Sequence, residues 1–142
     1  MIDKLDNMLN KLDNDDLGKL VLRLSVGLLL LFHGVHKIMN HKGTMDYLAS
    51  SLANIGLPSF ISYGVYIGEL IAPVMIIVGL LSRLGGLLVV IFMLFAILLA
   101  HTGDILSLTE HGAWKLELQA FFLFGGLAVA FLGSGKFAVK PD

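Results

Sequence analysis

Hydrophobic and polar positions divide the chain into a short patterned leader and four apolar runs. In residues 1–16, MIDKLDNMLNKLDNDD, the apolar side chains Ile2, Leu5, Leu9 and Leu12 recur at helical spacing among Asp, Asn and Lys. This predicts an amphipathic or flexible leader, either a helix that docks on a membrane surface or partner, or a solvated segment. Its five acidic residues weigh against anionic lipid. It lacks the basic start and the small-residue cleavage site of a signal peptide. From Leu17 the pattern changes to long runs with few charges, over about 17–38, 58–82, 84–100 and 114–132. Each approaches the ~20 residues that a helix needs to cross ~30 Å of hydrocarbon. Only Arg83 separates the second run from the third, so these two form an antiparallel hairpin. The connections 39–57 and 101–113 are longer and polar. The expected fold is all-α, a polytopic membrane four-helix bundle occupying residues 17–142.

Composition agrees with this pattern. Of 142 residues 56% are hydrophobic and 15% charged, against ~25% charged in an average soluble domain, and the mean hydropathy is +0.84. Four spans use most of the length, which leaves no room for a separate soluble catalytic domain. The chain has no cysteine, so thiol exchange, thiolate metal sites, iron–sulfur clusters and covalent haem attachment have no ligand. A net charge of −1 without a basic face excludes nucleic acid as a partner.

The basic residues also give an orientation. With four spans, Lys4, Lys11, Lys19, Arg23, Arg83, Lys136 and Lys140 share one side, and Lys37, Lys42 and Lys115 the other. The positive-inside rule then places the N-terminus and C-terminus in the cytoplasm and both long connections outside. All five histidines, His33, His36, His41, His101 and His111, fall at the outer end.

Glu69 is the sharpest candidate, because a carboxylate within a span costs ~2.5–3.5 kcal/mol and needs a partner. Counting 1.5 Å per residue from the expected boundaries puts Arg23 and Glu69 within ~5 Å of the same depth, which predicts a buried Arg23–Glu69 ion pair or ligand site. Pro73, four residues later, cannot donate to the Glu69 carbonyl and predicts a kink. His33, His36 and Lys37 share a helix face. With Tyr66, His101, Asp104 and Glu117 they define an expected outer polar pocket, able to hold a ligand head group or simply to sit in the interface. Tyr63, Tyr66 and Trp114 also suit the aromatic belt. No metal-binding spacing of the HExxH or CxxC kind is present, and the histidines lie too near the boundary for a bis-histidine haem. No metal or haem is therefore expected.

LRLSVGLLLLFHGVHKI in the first span, GELIAPVMIIVGLLSRLGGLLVV through the hairpin, His101, and the terminal ELQAFFLFGGLAVAFLGSGKFAVKPD together resemble the DoxX family over about residues 20–142. Arg23, His33, Gly34, Lys37, Glu69, Gly79, Arg83 and Gly135 match its distributed motif, whereas the usual Ser-Leu-Asp close reads Ala138-Val139-Lys140-Pro141-Asp142 here. The resemblance implies a multi-pass protein of the bacterial plasma (inner) membrane, related to the membrane subunit of a thiosulfate:quinone oxidoreductase. On that basis the leading expectation is a membrane subunit of a quinone-linked redox complex, with the lipid bilayer, a quinone, a redox partner protein and a second copy as candidate partners. A small-solute or ion transporter or channel, and a non-catalytic assembly subunit, are the competing expectations.

Overall fold

A computed structural model describes residues 1–142, and every regular element in it is helical. A short α1 (Ile2–Leu9) precedes α2 (Asp15–Met39), α3 (His41–Asn54), the composite α4 (Ser59–Val78), α5 (Ser82–Ala100) and α6 (Glu117–Leu132). The Asn14 side chain caps α2 by accepting from Leu17 N at 3.0 Å, and Asp15 and Asp16 complement the positive helix start.

Helices α2, α4 and α5 are long and apolar enough to cross a membrane, and α6, apolar after Glu117 and Gln119 in its first turn, has 16 residues. They pack around one ladder of buried side chains to which each contributes two: Val26 and Leu30, Ala72 and Ile76, Val89 and Met93, Phe122 and Val129. Meanwhile Phe32, Phe121 and Phe131 are each more than 70% exposed. In water that arrangement would be costly. In a bilayer, outward aromatic and aliphatic side chains meet hydrocarbon, and helix contacts rely on close packing of small residues. The α5–α6 crossing shows this: a Cβ on Gly126 would lie 2.9 Å from the Gly86 carbonyl oxygen, so the two backbones touch.

Two differences from the sequence expectation shape the site. The 39–57 connection is mostly the helix α3, because Thr44, Leu48 and Leu52 at four-residue spacing share one face. Leu52 is 1% exposed, so that face is held against the bundle. The second span is also no uniform helix. It runs from a 3-10 turn (Ser59–Tyr63) through a π-helical turn (Ile67–Ile71) into α-helix from Ala72, and ends at Gly79 with φ 75°. The wide turn surrounds Glu69 and ends two residues before Pro73, whose missing N–H cannot serve the Glu69 carbonyl. Such π turns occur often at functional sites. The expected kink is thus a change of helical pitch. The fourth apolar helix begins at Glu117, three residues after Trp114.

Beyond α6 the chain turns back. Val139 N donates to Val78 O at 3.0 Å and Lys140 N to Gly79 O at 3.1 Å. Asp142 Oδ2 accepts from Arg83 N at 3.0 Å, which ties the terminal segment to the α4–α5 turn.

Candidate functional site

Near the end of the bundle that holds His33, Lys37 and His101, α2 to α6 line a half-open cavity of about 540 Å³. This lies within the 300–1,000 Å³ range typical of small-molecule sites. Its wall is mainly apolar, with Leu30, Leu52, Val65, Phe92 and Phe122 among the lining side chains. The polar exceptions are few: Glu69, Lys37, His33, His101 and Gln119 stand out among them.

Glu69 is 4% exposed, and its two carboxylate oxygens accept from Lys37 Nζ at 2.6 and 2.7 Å. Lys37 lies near the end of α2 and reaches back toward the wide turn, while Thr44 Oγ1 donates to its carbonyl at 3.1 Å. Its side chain remains about one-third exposed. A carboxylate buried in an apolar wall must be paired or neutral, and here the ammonium supplies both charge and hydrogen bonds. One turn earlier, His33 meets the Phe122 ring edge-on at 5.8 Å.

Gly34 sets the level of this pair. A Cβ there would collide with the Glu69 carbonyl oxygen, so α2 and the π turn approach backbone to backbone. Gly34→Ala is therefore expected to lose ~1–3 kcal/mol through overpacking. Gly43→Ala, where a Cβ meets nothing within 4 Å, should leave the thermal midpoint in detergent near wild type. Equal midpoints for both variants would show that this contact imposes no constraint.

The structure corrects the Arg23–Glu69 pairing. Arg23 lies 11 residues before Gly34 on α2, about 16 Å along the axis from the level of Glu69. Its Nε donates to Ile76 O at 2.9 Å and Nη2 to Ile77 O at 3.0 Å. Its Nη1 donates to Ser134 O at 2.9 Å and Phe137 O at 2.7 Å. The last carbonyls of a helix lack intrahelical donors and carry its negative dipole end. Those groups attract Arg23, and the depth count failed because it fixed each span by an assumed boundary instead of by the antiparallel register.

The expected outer polar set divides. His33, Lys37 and His101 line the cavity. Asp104 stands behind His101, its Oδ2 3.3 Å from His101 Nδ1, with Lys115 Nζ 3.8 Å from its other oxygen. Tyr66 faces elsewhere: its hydroxyl is 2.6 Å from His41 Nδ1, and the two rings stack at 5.8 Å. His36 is exposed and Glu117 borders a separate shallow hollow, so neither joins the cavity. Gln119, Thr44 and Leu52 do line it although sequence reasoning did not select them. The four-residue spacing of Thr44, Leu48 and Leu52 was the available signal for α3. Nothing local distinguishes Gln119.

A family model described as DoxX matches residues 18–102. A relative from Bacillus subtilis (strain 168), named "Putative oxidoreductase CatD", is 30% identical over 126 residues, covering 89% of this chain and 87% of its own. No solved structure matches the chain. The matched region contains α2 to α5 with Arg23, Lys37 and Glu69, and by that match this multi-pass, all-helical membrane protein belongs to the DoxX family.

Proposed function

We propose that the chain is the membrane-embedded subunit of a quinone-linked redox complex and that the cavity beside Lys37 and Glu69 takes the quinone ring. The observation that carries this reading is an apolar cavity of about 540 Å³ with a buried carboxylate, paired to Lys37, in its wall. A ring with an apolar body and polar edges suits such a wall. Lys37 would donate to a ring oxygen, Glu69 would accept from a ring hydroxyl, and Phe92 and Phe122 would flank the ring. A bound quinone supplies two-electron, two-proton chemistry, for which the cysteine-free chain has no side chain of its own. The oxidoreductase name of the Bacillus subtilis relative supports the same class.

The distribution of Lys and Arg supports both termini in the cytoplasm and the cavity end outside, in a bacterial inner membrane. A redox partner protein would then meet the α3 and 101–116 end. His33 and His101 would orient the head group from within the cavity.

The test is calorimetric titration of the full chain in lipid nanodiscs with a decyl-substituted benzoquinone. Saturable binding is expected, weakened about tenfold or more in Lys37→Met, since a charged hydrogen bond contributes ~1.5–3 kcal/mol. No heat of binding to folded wild-type protein would sink the reading.

A further inference from the structure

The first helix has no partner in the bundle. No residue of α1 is buried, and Ile2, Leu5, Met8, Leu9 and Leu12 are 47–77% exposed. Asn10–Leu12 continue α1 as a 3-10 turn. At ~100° per residue those apolar side chains fall within an arc of about 120°. Lys4 and Lys11 border one edge of the arc, and Asp3, Asp6, Asn7 and Asn10 fill the rest of the circumference. No polar residue interrupts the arc, and an apolar stripe of this kind is stable only when something covers it. Its place on the chain names the cover. Helix α2 has 25 residues, about 37 Å at 1.5 Å per residue, which exceeds ~30 Å of hydrocarbon and fits the ~40–45 Å that includes the headgroups. Its first turn, where Lys19 pairs with Asp15 at 2.6 Å, therefore lies among headgroups, and Leu17 and Val21 are exposed to lipid just beyond. Asp13 (φ −61°, ψ 106°) and Asn14 (φ −151°, ψ 88°) are non-helical, so α1 breaks away from the helical path of α2 at that level.

We propose that residues 2–12 form an in-plane membrane helix, with Ile2, Leu5, Met8, Leu9 and Leu12 inserted at the boundary of headgroups and acyl chains, at the end of the bundle away from Lys37. A helix that starts in the headgroup layer and presents one apolar face meets acyl chains on that face without crossing the bilayer. Lys4 and Lys11 lay their stems along the apolar edge and lift their ammonium groups to the phosphates. Within residues 2–12 two lysines balance two aspartates, so apolar burial, not charge, holds the helix to the surface. It anchors the corner at which Asp16 Oδ1 accepts from Lys136 N at 2.9 Å, the bond that ties the start of α2 to the segment after α6. Nothing in this depends on what the cavity binds.

The chain contains no cysteine, so a single introduced one carries a unique label. Leu9→Cys and Asn7→Cys, on opposite faces of α1 and neither of them buried, are each labelled with an environment-sensitive fluorophore in the full chain. The proteins are reconstituted in phosphatidylcholine vesicles with or without brominated acyl chains. Brominated chains are expected to quench the Leu9→Cys label about twofold or more beyond the Asn7→Cys label, which stays open to aqueous iodide. The contrast should survive high salt, and Leu5→Gln combined with Leu12→Gln should abolish it. Equal iodide quenching of both labels shows a solvated segment and overturns the proposal. A Leu9→Cys label shielded from iodide but untouched by brominated lipid shows a cover of protein, a second copy or a partner, and overturns it too. So does a contrast that requires added anionic lipid or persists in the double glutamine variant.

Discussion

Arg23→Met is expected to be the most destabilising single change in the chain, with a loss of about 3–5 kcal/mol. The guanidinium is 1% exposed and donates to four carbonyls, two at the end of α4 and two in the segment after α6. Methionine fills most of the volume and makes none of these bonds, so four acceptors lose their charged donor together. Arg23→Lys should recover only part of the loss, since one ammonium on a flexible stem cannot match a planar fork directed at separate carbonyls. Thermal midpoints in detergent should fall in the order wild type, Lys variant, Met variant. Indistinguishable midpoints for the three would show that the clamp contributes nothing to stability.

The second large effect concerns Lys37 and Glu69. Lys37→Met should cost about 3 kcal/mol by leaving the buried Glu69 carboxylate unpaired, and Glu69→Gln should cost less, because the Lys37 ammonium it leaves is one-third exposed and can be solvated. The double variant should cost less than the two singles together, with a coupling of ~1–3 kcal/mol. Denaturation of the four proteins measures it, and strict additivity would remove the ion pair from the account. A parallel cycle for Arg23→Met and Glu69→Gln should instead be additive within ~0.5 kcal/mol, because the two sites share no partner. The contrast between the cycles tests the register of α2 against α4 without any ligand.

Much of the fold was legible because each feature depended on local pattern. The apolar runs located α2, α4, α5 and α6 to within a few residues, and the lone Arg83 marked the hairpin. Pro73 announced an irregularity beside Glu69, which the π turn bears out. The helix between α2 and α4 was not legible within the polar connection because His41, Lys42, Asp46 and two serines hid the spacing of Thr44, Leu48 and Leu52. Its helix also owes its place to burial of Leu52, which depends on the whole bundle.

The site was legible in its members and not in its pairings. Glu69 stood out because charge inside a span is rare, and the same scarcity singled out Arg23 and Lys37. Which of the two reaches Glu69 depends on how far α2 slides along α4, and that is fixed by contacts such as Gly34 against the Glu69 carbonyl. Gln119 was invisible for a related reason. An amide near the start of an apolar helix is unremarkable until the fold brings it within 3.5 Å of His101 Nε2 at the cavity wall.

The sequence by itself therefore determined the medium, the helices and the short inventory of polar side chains, since hydrophobicity and helical period are properties of consecutive residues. The tertiary structure decided the partners: Lys37 with Glu69, Arg23 with four carbonyls, Gln119 beside His101. Pairing is a matter of a few ångströms between separate helices, and interhelical packing, not residue order, sets those distances.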